Sequence, residues 1–197
     1  IAGDPKFAHS FGADLGRMLA EQHTRIPSAE LSGWLPTTPN WPRPEDLSHL
    51  AEVVEDARLL ARIEQALRLR AESRRALQDP VLAHADLGLH NVVVDPVTFQ
   101  IVGLFDYEGA VFGDRHYDFA YLVCHCAKES MLHGALSTYQ PATGTRIELE
   151  RVRQLHAVAA IGFLAFRHGH PPEDAWCGRT LSEDLAWTDA ALRQVGL

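Results

Sequence analysis

The residues of this chain best suited to chemistry lie in two runs, His84-Ala85-Asp86-Leu87-Gly88-Leu89-His90-Asn91 and Phe105-Asp106-Tyr107-Glu108. The first has the pattern H-x-D-L-x-x-x-N. Aspartate and asparagine at this spacing are what a phosphoryl-transfer loop uses as base and metal ligand. Such a reaction needs little covalent help from a protein. It needs a cation to neutralise phosphate oxygens and a carboxylate to orient and deprotonate the attacking hydroxyl. Magnesium takes hard oxygen ligands and keeps several waters, so a carboxylate and an amide oxygen suffice. Asp86 is therefore the candidate base, and Asn91 and Asp106 are the candidate Mg2+ ligands. Glu108 is a candidate contact to metal-bound water or substrate. His84 reads as a structural residue that hydrogen-bonds backbone near Asp106.

A hairpin must bring these residues together. Residues 91–95 read as a strand, Asp95-Pro96-Val97-Thr98 as a turn, and residues 99–105 as the returning strand. Hairpin strands are antiparallel, so the start of one lies beside the end of the other. Asn91 opens the first and Asp106 closes the second, which gathers both at one end next to Asp86.

The remaining elements read as scaffold. Phe7, Phe11, Leu15, Met18 and Leu19 recur at helical spacing. Residues 27–45 form a proline-rich loop with Trp34 and Trp41, which suit docking on a surface. A long helix is expected over residues 44–77. Its arginines (Arg58, Arg62, Arg68, Arg70, Arg74 and Arg75) form a solvated face opposite glutamates. Residues 117–124 predict a buried central helix, and 129–144 a short helix followed by the loop Pro141-Ala142-Thr143-Gly144. A further helix is expected over 146–167, with Phe166 facing inward. Thr180-Leu181-Ser182-Glu183 is a capping-box pattern that opens the last helix.

Composition narrows the function. The chain has 197 residues, a net charge of −8 and 46% hydrophobic residues, enough for a domain with a proper core. The acidic balance argues against nucleic-acid binding. It suits a cationic substrate and equally a solvated acidic surface. No run is long and apolar enough for a membrane span. Cys124 and Cys126 sit two apart on a helix and Cys177 is distant, so no disulfide is expected and a reducing, cytoplasmic compartment fits. His168-Gly169-His170 and Cys124-His125-Cys126 lack a second half at zinc spacing.

His84-x-Asp86-x4-Asn91, the hairpin, the run from Ile101 to Glu108, and Gly113-Asp114-x3-Asp118-Phe119-Ala120 resemble the aminoglycoside phosphotransferase and choline kinase-like family. The resemblance is close over residues 81–123. It implies an α+β, mainly helical fold, the C-terminal lobe of a protein-kinase-like fold with a short hairpin at the catalytic loop. It also implies ATP or GTP with magnesium, and phosphorylation of a small-molecule hydroxyl. Asp114 and Asp118 would be supports, with Asp118 capping its helix. The family usually has Gly where this chain has Ala85. Glu173, Asp174, Glu183, Asp184 and Asp189 lie on the C-terminal helices, where the family usually builds its acceptor site.

No G-x-G-x-x-G loop or P-loop is present, and the two lysines, Lys6 and Lys128, follow no strand pattern. The chain starts with Ile1. Residues 1–197 are therefore expected to be a single catalytic and acceptor lobe starting near the inter-lobe hinge, without the N-terminal lobe that clamps nucleotide phosphates. By itself it would be nearly inactive. Two other readings are a two-metal nuclease or phosphatase, which would not need the Asp-x4-Asn spacing, and a non-catalytic binding module derived from a kinase lobe.

Overall fold

The computed structural model describes residues 4–26, 30, 33–39, 42, 47–72, 79–126, 129–174 and 178–197. Among them the helices are α1 (Pro5–Arg25), α2 (Leu50–Val53), α3 (Ala57–Glu72), α4 (Tyr117–Cys126), α5 (Glu129–Thr143), α6 (Leu149–Ala165) and α7 (Leu181–Gln194). The strands are β1 (Val81–Ala83), β2 (Val92–Val94), β3 (Ile101–Leu104) and β4 (Val111–Gly113). The architecture is mainly helical α+β, with two small antiparallel pairs, β1–β4 and β2–β3. The chain divides into two compact units, residues 1–39 with 77–152 and residues 40–76 with 153–197.

The first unit is built on α1 and α5. Asp4 opens α1 by accepting the Lys6 N–H at 2.9 Å, with Pro5 in the first turn. The buried stripe of α1 then runs through Phe11, Leu15, Leu19 and His23. Gly12 and Gly16 let the helix approach α5 backbone to backbone. A Cβ at Gly12 would overlap the Met131 carbonyl oxygen, one at Gly16 the Ala135 carbonyl, and one at Gly134 the His9 carbonyl. Thr138 Oγ1 seals the contact by donating to the Ala13 carbonyl at 2.8 Å. α4 is buried through Phe119, Ala120, Tyr121 and Leu122.

The hairpin pairs Val92 with Leu104, Val93 with Gly103 and Val94 with Ile101, with a register shift at Val93/Val94. Asp95 Oδ1 accepts the N–H groups of Val97 and Thr98, each at 2.8 Å, which folds the turn on itself. The backbone bonds from Thr98 and Val97 hold the Asp95 carboxyl below its ordinary range. The β1–β4 pair has no counterpart in the sequence reading. Its register (Val81 opposite Gly113, Ala83 opposite Val111) joins positions about thirty residues apart. Part of the proline-rich loop docks here, because the Phe112 N–H donates to the Pro36 carbonyl at 2.9 Å. Trp34 is 86% exposed, and Trp41 lies outside the described residues.

The second unit packs α2, α3, α7 and most of α6 around Leu59, Ile63, Ile161, Leu164 and Leu192. The expected long helix over 44–77 is broken. The chain leaves helical geometry at residues 54–56, and Asp56 Oδ1 accepts the Arg58 N–H at 2.8 Å to start α3 afresh. Arg74 and Arg75 lie outside the described residues. Helix α5 runs on through Pro141, where a loop was expected, and stops at Gly144, whose φ is +66°. Phe166 is 39% exposed and not inward. The capping box at Thr180 and Glu183 forms with both of its bonds.

The α1–α5 contact makes a direct prediction. Alanine is favoured over glycine by about 1 kcal/mol inside an isolated helix. Gly12→Ala should nevertheless lower stability, by roughly 1–3 kcal/mol, because the new methyl group meets backbone that cannot rotate away. Urea denaturation should show a lower midpoint. An unchanged or higher midpoint would contradict this packing.

Candidate active site

The loop bearing Asp86 leaves β1 and is held from below by one carboxylate. Asp118, fully buried near the start of α4, accepts the His84 N–H on Oδ2 at 3.2 Å and the Ala85 N–H on Oδ1 at 2.8 Å. His23 Nε2 also lies 3.0 Å from Asp118 Oδ2. The expectation that Asp118 caps its own helix is thereby corrected, since its oxygens face the loop and α1. His23 Nδ1 lies 2.8 Å from the Tyr139 hydroxyl, which accepts from Arg115 Nη1 at 2.9 Å. Arg115 in turn pairs with Asp79.

His84 is also fully buried. Its Nε2 lies 2.8 Å from the Phe105 carbonyl oxygen, so this nitrogen carries the proton. The bond ties the loop to the end of β3, one residue before Asp106. From the other side, the Phe105 N–H donates to the Asn91 carbonyl at 3.1 Å. Asn91 Nδ2 donates to the Asp86 carbonyl at 2.9 Å and lies 3.5 Å from Asp86 Oδ2. Asp86, Asn91 and the start of the 106–109 turn are thus gathered around the open end of the hairpin.

Two backbone features mark the site. Ala85 has φ +62° and Asp106 φ +64°, in the left-handed region that non-glycine residues avoid. Strain of this kind costs about 1–3 kcal/mol and persists where surrounding bonds over-determine it. At Ala85 the Asp118 bonds do so, and the conformation explains why a glycine suits this position. The turn Tyr107–Gly109 brings Gly109 against Asp86, where a Cβ on the glycine would lie 3.6 Å from the Asp86 Cβ. Tyr107 anchors the turn. Its hydroxyl donates to Gln22 Oε1 at 2.6 Å and its ring lies 4.5 Å from that of His84. Burial, and then the Asp118 charge, push the Tyr107 phenol up. Gln22 continues the link to the Leu82 carbonyl on β1 at 2.8 Å.

The side chains suit a hard cation. Asn91 is buried and its amide nitrogen is spent on the loop, so its carbonyl oxygen is the atom left to ligate. Asp106 and Glu108 are exposed, and among the described residues neither carboxylate is engaged in a hydrogen bond or ion pair. Asp114 stands apart from this group as a brace. It accepts from His116 Nδ1 at 2.5 Å and from Arg151 Nε at 2.9 Å. Burial acts to raise the Asp114 carboxyl, but the His116 and Arg151 bonds outweigh it and hold the group well below the usual carboxylate range.

Of the acidic groups on the C-terminal helices, three are committed to the protein. Asp184 is buried between Arg167 Nε and Arg179 Nε, each at 2.6 Å. Glu183 closes the capping box, and Asp189 pairs with Arg62 and Arg193. Glu173 and Asp174, expected on a helix, lie instead in the proline-led turn between α6 and α7 and are exposed. The sequence reading overlooked His23, Gln22 and Tyr107. The signal for His23 was a histidine in register with Leu15 and Leu19 on an apolar stripe, where burial demands partners.

Residues 2–155 match the profile of the Phosphotransferase enzyme family. Streptomycin 3''-kinase of Streptomyces griseus is 37% identical over 82 residues, 42% of this chain and 29% of that protein. Macrolide 2'-phosphotransferase type I superposes with a TM-score of 0.57 at 21% identity, covering 94% of this chain and 58% of that one. Spectinomycin phosphotransferase, solved with ADP and spectinomycin, gives 0.61 at 14% identity, covering 95% and 65%. The fold is that of the kinase-like aminoglycoside phosphotransferases. The chain belongs to the Phosphotransferase enzyme family, and it spans less than two thirds of the length of the relatives it matches. Among the described residues no helix is long and apolar enough to cross a membrane.

The Asp114 brace predicts a pH dependence. A carboxyl depressed on folding contributes stability that is complete above its unfolded value, about 3.9, and is lost as pH falls toward the folded value. Asp114→Asn should cost roughly 2–4 kcal/mol at pH 7. The gap from the parent should hold between pH 5 and 7 and narrow below about pH 4 in denaturant titrations. A gap independent of pH down to 3 would contradict this role.

Proposed function

We propose that this chain provides the catalytic and acceptor lobe of a kinase. It moves the terminal phosphoryl group of ATP or GTP to a hydroxyl on a small molecule. The observation that carries the reading is the Asn91 amide bond to the Asp86 backbone. It fixes a carboxylate and an amide oxygen side by side at the end of the hairpin where Asp106 emerges.

In this reading Asp86 accepts the proton of the attacking hydroxyl as its oxygen forms a bond to the terminal phosphorus. The bond from that phosphorus to the bridging oxygen breaks, and the nucleoside diphosphate leaves. Asn91 Oδ1 and the Asp106 carboxylate would hold Mg2+, which supplies charge neutralisation on the phosphate oxygens. Glu108, exposed on the turn beside Asp86, contacts metal-bound water or the acceptor. His84, Asp118 and Asp114 act through position only. The clamp on the nucleotide phosphates would come from residues outside these 197. In support, the sequence has no glycine-rich loop or strand lysine, and related structures are longer. The relatives' own ligands, GDP in aminoglycoside 2'-phosphotransferase-IIIa and ADP with spectinomycin in the other, favour a nucleotide and a small hydroxylated acceptor here. The acceptor class extends to aminoglycosides, macrolides, sugars and choline-like alcohols.

The test is an ATP- and GTP-consumption screen of the full-length protein against a panel of hydroxyl compounds. Asp86→Asn should lower kcat by about 10²–10⁴-fold with little change in nucleotide KM. Full turnover by Asp86→Asn would remove the base assignment. Efficient phosphorylation by residues 1–197 alone would refute the external clamp.

A further inference from the structure

The second unit gathers three metal-binding side chains from segments more than a hundred residues apart. His49 stands at the N-cap of α2 but makes no capping bond with its side chain. Its Nδ1 lies 3.1 Å from Glu52 Oε1. His168, in the turn after α6, places Nδ1 3.6 Å from Glu52 Oε2. The two imidazole rings stack with centroids 4.0 Å apart and planes within 10°. One donor atom from each residue lies within 4.8 Å of the others.

We propose that His49, Glu52 and His168 form a binding site for a divalent transition-metal ion, zinc being the best match. Two imidazoles and one carboxylate are a ligand set zinc takes with a fourth position left to water. Zinc–ligand bonds of about 2.0–2.2 Å put tetrahedral ligands about 3.3 Å apart. His49 lies 3.1 Å from one Glu52 oxygen and His168 3.6 Å from the other, separations of that order on the two sides of one carboxylate. Hard cations such as magnesium avoid imidazole. The side chains are 41–62% exposed, which leaves the fourth position open to solvent. The two rings are parallel, so their in-plane lone pairs meet at one ion once one imidazole turns about its χ angles, a rotation open to these exposed side chains. The ion would brace the start of α2 against the turn after α6. The pattern His168-Gly169-His170 suggested nothing because its partners lie at 49 and 52 and not at zinc-motif spacing.

Zinc titration calorimetry of untagged, metal-stripped protein should find one equivalent of Zn2+ per chain. Co2+ should give the visible absorption of a four-coordinate site. His49→Ala, Glu52→Gln and His168→Ala should each weaken binding by about tenfold or more. His9→Ala and His133→Ala should bind as the parent does. Circular dichroism would identify any variant that fails to fold. The parent's own melting temperature, which should rise by several degrees with excess Zn2+ over chelator, needs no variant. Zn2+ binding that survives all three site substitutions, that falls instead with His9 or His133, or that leaves the melting temperature unchanged would overturn the site.

Discussion

The carboxylate of Asp118 is the constraint on which the site depends. A fully buried charge survives folding only if its oxygens are bonded. Here they take two backbone amides from consecutive residues, His84 and Ala85, and a histidine nitrogen from α1. Two adjacent amides can face one carboxylate because Ala85 adopts a left-handed conformation. The chain then turns sharply, and Asp86 emerges half-buried beside the hairpin. Charge-assisted bonds contribute about 1.5–3 kcal/mol each, enough to offset the strain at Ala85. His23, Tyr139 and Arg115 extend the arrangement into α1 and α5, so the helix pair closed by Gly12, Gly16 and Gly134 sets where the loop sits.

Asp184 repeats the logic in the second unit. It is buried, flanked by Arg167 and Arg179, and Arg179 also lies over the Trp187 ring at 4.4 Å. A carboxylate paired on both sides is part of the scaffold. An acidic sequence run therefore says little about ligand recognition until its partners are known. Of the five acidic groups at this end of the chain, Glu173, Asp174 and Glu183 face solvent, and Glu183 is spent on the capping box.

What could be read in the sequence was local. The hairpin was legible because Asp95-Pro96-Val97-Thr98 encodes its own turn and the flanking residues carry β propensity. Its antiparallel geometry then placed Asn91 and Asp106 together without further information. The family motif marked the same residues. Contacts between distant segments were not legible. Nothing in Val81-Leu82-Ala83 names Val111-Phe112-Gly113 as its partner, and nothing near Asp118 points to the amides of 84 and 85. The break at 54–56 was missed because apolar periodicity continues across it, while Asp56 gave the only local signal of a new helix start. Pro141 misled in the other direction, since packing of α5 on α1 overrides local propensity.

The most direct test of this account is steady-state kinetics of Asp118→Asn in the full-length protein, with the fold checked by circular dichroism. Removing the charge loosens both amide bonds and lets Asp86 shift while leaving every proposed ligand and base intact. The account predicts a folded enzyme whose kcat falls by about 10²-fold, a loss that displacement of about 1 Å produces, with nucleotide KM nearly unchanged. A folded Asp118→Asn enzyme with parental kcat would contradict it.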